Sequence, residues 1–168
     1  MNNDTITLIA NLALALSFVV GLVFGITQVR SAARDRRERL TLETIRNFQS
    51  REFAELIFFI TNYKAFPPTW EQYQQIPAKE QIALIEFAQG MEHLGLLVAD
   101  KFIDMDLIDK TLGSFVTTSW EKCKPMMLDA RVKIQDPFLN EYFQWLAERI
   151  DKRMKEHPRE PVYKTLKT

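Results

Sequence analysis

One cysteine, two histidines and five glycines in 168 residues leave several kinds of chemistry without material. The lone Cys123 excludes an intrachain disulfide and agrees with a reducing compartment. His93 and His157 are too few and too isolated for a metal site built on histidine. Neither a glycine-rich loop able to cradle phosphate nor a nucleophile–base pair occurs. Lys and Arg number 22 and Asp and Glu 22, so no overall charge draws the chain to nucleic acid. There is no internal repeat and no low-complexity tract. No stretch alternates polar and apolar residues as a half-buried strand would, so the expected class is all-α.

The most informative absence is that of charge between Ile6 and Ile26, a run of 21 residues without an ionisable side chain. As a helix it would rise roughly 31 Å, the thickness of a bilayer's hydrocarbon core. Thirteen of the 21 are Leu, Ile, Val or Phe, each favouring insertion by about 0.3–0.6 kcal/mol, which outweighs the polar cost of Asn11 and Ser17. The run reads as a single transmembrane helix. A cleaved signal peptide, suggested by SerAlaAla at 31–33, is disfavoured because no basic segment precedes the run and the run exceeds the usual apolar length of such peptides.

Asp4 is the only charged side chain before the span, whereas Arg30, Arg34, Arg36, Arg37 and Arg39 follow it. The positive-inside rule therefore puts the N-terminus outside and the body in the cytoplasm, with the span in the plasma (inner) membrane. The same arginines are candidates for contact with anionic lipid headgroups. Within the span Ala13, Ser17, Gly21 and Gly25 recur every four residues, a stripe that lets a second helix backbone approach closely and predicts self-association. Asn11 lies on the same side and would be less costly in lipid when bonded across such a seam.

Beyond the span, Thr27 to Phe48 lacks proline and glycine and should continue the helix. The expected organisation is an outward terminus at 1–5, the span at 6–28, a basic juxtamembrane helix at 29–48, a cytosolic helical domain at 49–157 and a flexible tail at 158–168. Inside that domain Ser50 and Asp104 are expected N-caps, and Thr69 with Gln72 fits a capping box. Pro77 suits a first helical turn. Leu84, Phe87, Ala88, Met91, Leu94, Gly95 and Val98 share one apolar face. Pro125 should kink or restart the helix that begins at Met105. Asp136 and Pro137 should open the last helix, with Leu139, Tyr142, Phe143, Leu146 and Ile150 inward.

The blocks LeuGlyLeuLeuVal (94–98), IleAspMetAspLeuIle (103–108), SerTrpGluLysCysLysPro (119–125), Arg131 and TyrPheGlnTrpLeuAla (142–147) resemble the DUF4760 family of small prokaryotic membrane-anchored proteins. The likeness is clearest over 84–147. It implies the architecture and carries no activity, cofactor or site residue.

Candidate sites are few. Asp104 and Asp106 have the spacing of the first two ligands of a calcium loop, but Ile108, Asp109 and Phe115 occupy positions where a ligand, a glycine and a glutamate are required. Capping is the better reading. Glu86, Glu92 and His93 lack the Glu-x-x-His pairs of a di-iron bundle. A helix–turn–helix reading of 84–112 fails on charge, since Asp104, Asp106 and Asp109 face only Lys110. Trp120, Glu121, Arg131 and Trp145 are residue types favoured in recognition pockets and form the one candidate pocket, but a core tryptophan with a neighbouring ion pair explains them as well and is the better reading. No catalytic residue, metal or cofactor is expected. The sequence thus points to a membrane-anchored interaction or assembly module, homo-oligomeric, in contact with lipid and with a protein partner it does not identify. A homo-oligomeric pore lined by Thr7, Asn11, Ser17 and Gln28 is the second reading, and an enzyme with an unrecognised cytosolic site the third.

Overall fold

A computed structural model describes residues 2–63 and 66–165, and among these every regular element is helical. The order is α1 (Asn3–Phe48), α2 (Arg51–Asn62), α3 (Trp70–Gln75), α4 (Ala78–Ala99), α5 (Met105–Lys133), α6 (Glu141–Glu156) and α7 (Val162–Thr165). Contacts divide the chain into two units, Met1–Leu42 and Glu43–Thr168.

The first unit is the greater part of α1, the expected long apolar helix. Every described side chain from Ile6 to Arg39 is exposed. The second unit is a bundle whose principal interfaces are α4 on α6 and α5 on α6, with α3 laid on α5. The seven residues expected on the apolar face of α4 are all buried. Aromatic rings meet edge to face through the centre, Phe53 to Phe115 (6.0 Å), Phe115 to Phe87 (5.8 Å), Phe87 to Phe143 (5.7 Å) and Phe143 to Trp120 (5.1 Å), an arrangement favoured by the ring quadrupoles.

The expected caps at Ser50, Thr69 and Asp104 form, their side chains accepting from the backbone N–H of Phe53, Gln72 and Asp106. Other termini are closed from a distance. Asp129 of α5 accepts from the N–H of Trp70 at the start of α3 (2.8 Å), and Glu92 of α4 accepts from the N–H of Phe143 in the first turn of α6 (2.8 Å). Lys122 donates to the carbonyls of Ile60 and Thr61 at the end of α2. Each satisfies a backbone group that the helix itself cannot, and each ties one helix to another.

Two boundaries differ from expectation. Of the kink or restart expected at Pro125, the restart does not occur: α5 runs unbroken from Met105 to Lys133. Pro125 and Glu121, whose carbonyl loses its partner, are both exposed, so water can replace the missing bond. Asp136 and Pro137 do not open α6. Asp136 closes a turn on the N–H of Phe138 (3.0 Å), and the helix begins later, after Asn140 at φ 55°, ψ 37°. The segment after His157, expected to be a loose tail, contains the short α7 and an arginine, Arg159, bonded to the domain.

Candidate functional site

Along α1 the residues Ala13, Ser17, Gly21 and Gly25 are exposed, and a Cβ added at Gly21 or Gly25 would meet nothing within 4 Å. The hydroxyl of Ser17 donates to the Ala13 carbonyl (2.8 Å) and that of Thr7 to the Asn3 carbonyl (3.0 Å), so both are satisfied by their own helix. Arg30, Arg34, Arg36, Arg37 and Arg39 are all exposed; Arg34 pairs with Glu38 (3.0 Å), a turn further on. Among the described residues two helices, α1 and α4, are long and apolar enough to cross a membrane. In α4 the apolar face is buried in the bundle.

The four residues considered for a pocket do not converge. Trp120 is 1% exposed and packs against Phe143 in the core, and its indole N–H has no acceptor among the described residues. Trp120 and Glu121 share a recess of about 290 Å³ with Glu148, Asp151 and Lys155. Arg131 lies three turns further along α5, roughly 16 Å away. There it donates to the Leu139 carbonyl (2.8 Å), the Asn140 carbonyl (3.2 Å) and Gln144 Oε1 (2.6 Å), holding the turn into α6. Trp145, two residues after the buried Phe143 and so roughly 200° round α6, is at the surface.

The carboxylates also have structural partners. Asp104 caps α5, and Asp106 pairs with Arg153. Asp109 is buried, with Arg159 Nη2 at 3.3 Å and Arg153 Nε at 3.8 Å from its carboxylate. Arg159 also donates to the Asp109 backbone carbonyl (2.9 Å). Among the described residues no three His, Cys, Asp or Glu side chains group as metal ligands. Cys123 is buried, and burial pushes its thiol up to about 12, far from a reactive thiolate.

A further cavity, with a mainly apolar lining, is one that no sequence pattern announced. It has a volume of about 160 Å³ and lies between α3, α4, α5 and the turn into α6. Its lining includes Trp70, Tyr73, Met126, Met127, Gln89 and Asn140. The signal for it in the sequence was only a scatter of apolar residues from four segments, which no helical period connects.

Fold and site together define an all-α protein with a long apolar N-terminal helix, of membrane-spanning length, and a separate helical domain. The chain belongs to the DUF4760 family, a domain of unknown function, whose model matches residues 15–150. That match begins inside the apolar run and so takes in more of the chain than the resemblance over 84–147. No curated protein and no solved structure matches the chain.

Proposed function

We propose that the protein is a single-pass membrane protein that self-associates through its N-terminal helix and serves as an assembly or interaction module, without catalysis. The observation that carries this reading is the uncharged run Ile6–Ile26 within one helix, with every side chain exposed and open space around Gly21 and Gly25. An apolar surface on all sides of a helix is costly in water and matched by lipid. The small-residue stripe of Ala13, Ser17, Gly21 and Gly25 is where a second copy packs, gaining close van der Waals contact. The internally bonded hydroxyls of Thr7 and Ser17 favour this seam over a pore lined by the same residues. The five arginines then face the cytoplasm of an inner membrane and meet anionic headgroups, each worth about 1 kcal/mol near the surface. The helical domain after Leu42 is presented to a protein partner in that compartment.

Crosslinking in native membranes tests the seam. Replacing Gly21 and Gly25 together by Ile should lower dimer yield severalfold, whereas the same change at Leu22 and Val23 should leave it near wild type. Equal crosslinking in all three would reject the seam. Orientation is read separately, with alkaline phosphatase and a fluorescent protein fused after Thr168; phosphatase activity in the periplasm would reverse the topology.

A further inference from the structure

The cavity between α3, α4, α5 and the turn into α6 has features that specify a ligand. None of the residues lining it carries a charge, so an ionised ligand would lose its hydration there without compensation. Its volume, about 160 Å³, is close to that of an apolar cavity known to hold one benzene, about 150 Å³. One wall is the stacked pair Trp70 and Tyr73, with centroids 5.0 Å apart and planes inclined by 21°. Met126 and Met127 also line it, and thioethers make favourable contacts with an aromatic ring. Besides the aromatic pair, of which the Tyr73 hydroxyl already donates to the Gln81 carbonyl (3.2 Å), polar side chains enter at Gln89 and Asn140. The amide of Asn140 donates to Met127 Sδ (3.2 Å), a weak acceptor that a ligand oxygen would outcompete. The half-exposed Ile85 and Ile134 line it too and leave it open to solvent.

From these features we infer that the cavity is a binding site for a small neutral aromatic molecule, one six-membered ring with a single hydrogen-bonding substituent. The ring fills the space between the Trp70–Tyr73 pair and the two methionines, and its substituent meets Asn140. Such a ligand touches α3, α4, α5 and the turn into α6 at once, so its binding stabilises the seating of α3, otherwise held by the Asp129 bond to the Trp70 N–H and the pair Lys133–Glu71 (2.6 Å). The inference does not depend on the membrane reading.

The test uses the full-length protein in nanodiscs, labelled with ¹³C at the methionine methyls and titrated with phenol. The methyls of Met126 and Met127 should move saturably by ring-current shifts, while the surface Met154 stays in place. Hexan-1-ol, apolar but not aromatic, should bind at least tenfold more weakly. Ile85→Trp, a change at a half-exposed position, should block the mouth and weaken phenol binding at least tenfold, with the buried Met91 methyl unchanged as the sign of an intact core. Absence of saturation at Met126 and Met127, undiminished binding in Ile85→Trp with Met91 in place, or hexan-1-ol binding as tightly as phenol would each overturn the inference. If Ile85→Trp displaces Met91, Ile134→Trp replaces it as the plug, under the same two outcomes.

Discussion

A Cβ added at Gly95 would overlap the backbone carbonyl oxygen of Tyr142, where α4 and α6 pass each other. The close crossing is therefore conditional on glycine. Gly90, five residues earlier in the same helix, has nothing within 4 Å of the corresponding point. The same substitution should act with opposite signs at the two positions. Gly95→Ala should destabilise by about 2 kcal/mol or more, because the obstacle is backbone and overpacking of this kind costs about 1–3 kcal/mol. Gly90→Ala should stabilise by up to about 1 kcal/mol through helix propensity alone. Thermal unfolding of the full chain in micelles checks both; a Gly95→Ala melting temperature at or above wild type would show that the helices part without cost.

The difference between these glycines marks the limit of what sequence makes legible. The apolar face of α4 could be read from period alone, and the caps at Ser50, Thr69 and Asp104 from local chemistry, because cause and effect lie within four residues of each other. Glu92, Asp129 and Lys122 could not, since the termini they close lie in other helices and no local pattern announces such a partner. Asp136–Pro137 carried a strong local signal for a helix start that a non-local contact overrode: Glu92 supplies the capping acceptor to Phe143 instead. The proposed pocket of Trp120, Glu121, Arg131 and Trp145 rested on residue type, which says nothing of rise along α5 or of facing on α6. The apolar cavity was invisible for the complementary reason, that four separate segments build it.

Arg131 should prove a structural residue of the turn into α6. Its guanidinium donates to two carbonyls and to Gln144 in three directions, a fork that lysine lacks. Arg131→Lys should therefore cost nearly as much as Arg131→Met, about 2 kcal/mol from lost charge-assisted bonds, with some return from solvent because the site is half-buried. Denaturant titration of both variants measures this. A wild-type midpoint for Arg131→Lys would mean that charge alone suffices.

Asp109 and Arg159 should hold the C-terminal segment to the domain. Removing the charge by Asp109→Asn leaves Arg153 and Arg159 without their buried partner; since both arginines are partly exposed, the expected loss is about 1–3 kcal/mol, below that of a fully buried pair. Arg159→Gln should have a smaller effect on stability yet raise amide exchange in α7 (Val162–Thr165) at least tenfold. Unchanged exchange there would show that the segment is held by other contacts.

Alkaline pH should weaken the domain through two acids, the buried thiol of Cys123 and the half-buried phenol of Tyr63. Burial raises the Cys123 thiol from its ordinary 9.0 to about 12. Burial, then the hydrogen bond from Tyr63 Oη to Glu80 (2.6 Å), raises the Tyr63 phenol from 10.0 to about 12. For both, the unfolded chain releases its proton at lower pH than the folded one. Their linked stability is therefore fully present below about pH 9 and is lost as pH rises toward 12. Unfolding free energy should stay level from neutrality to about pH 9 and then fall, with Cys123→Ala and Tyr63→Phe each making the fall shallower. Alkylation gives an independent reading of the thiol: at pH 8.5 the folded protein should react with iodoacetamide at least a hundredfold more slowly than the denatured chain, since the thiol is both covered and protonated. Comparable alkylation rates for the two forms would place Cys123 in contact with solvent and remove its share of the alkaline loss.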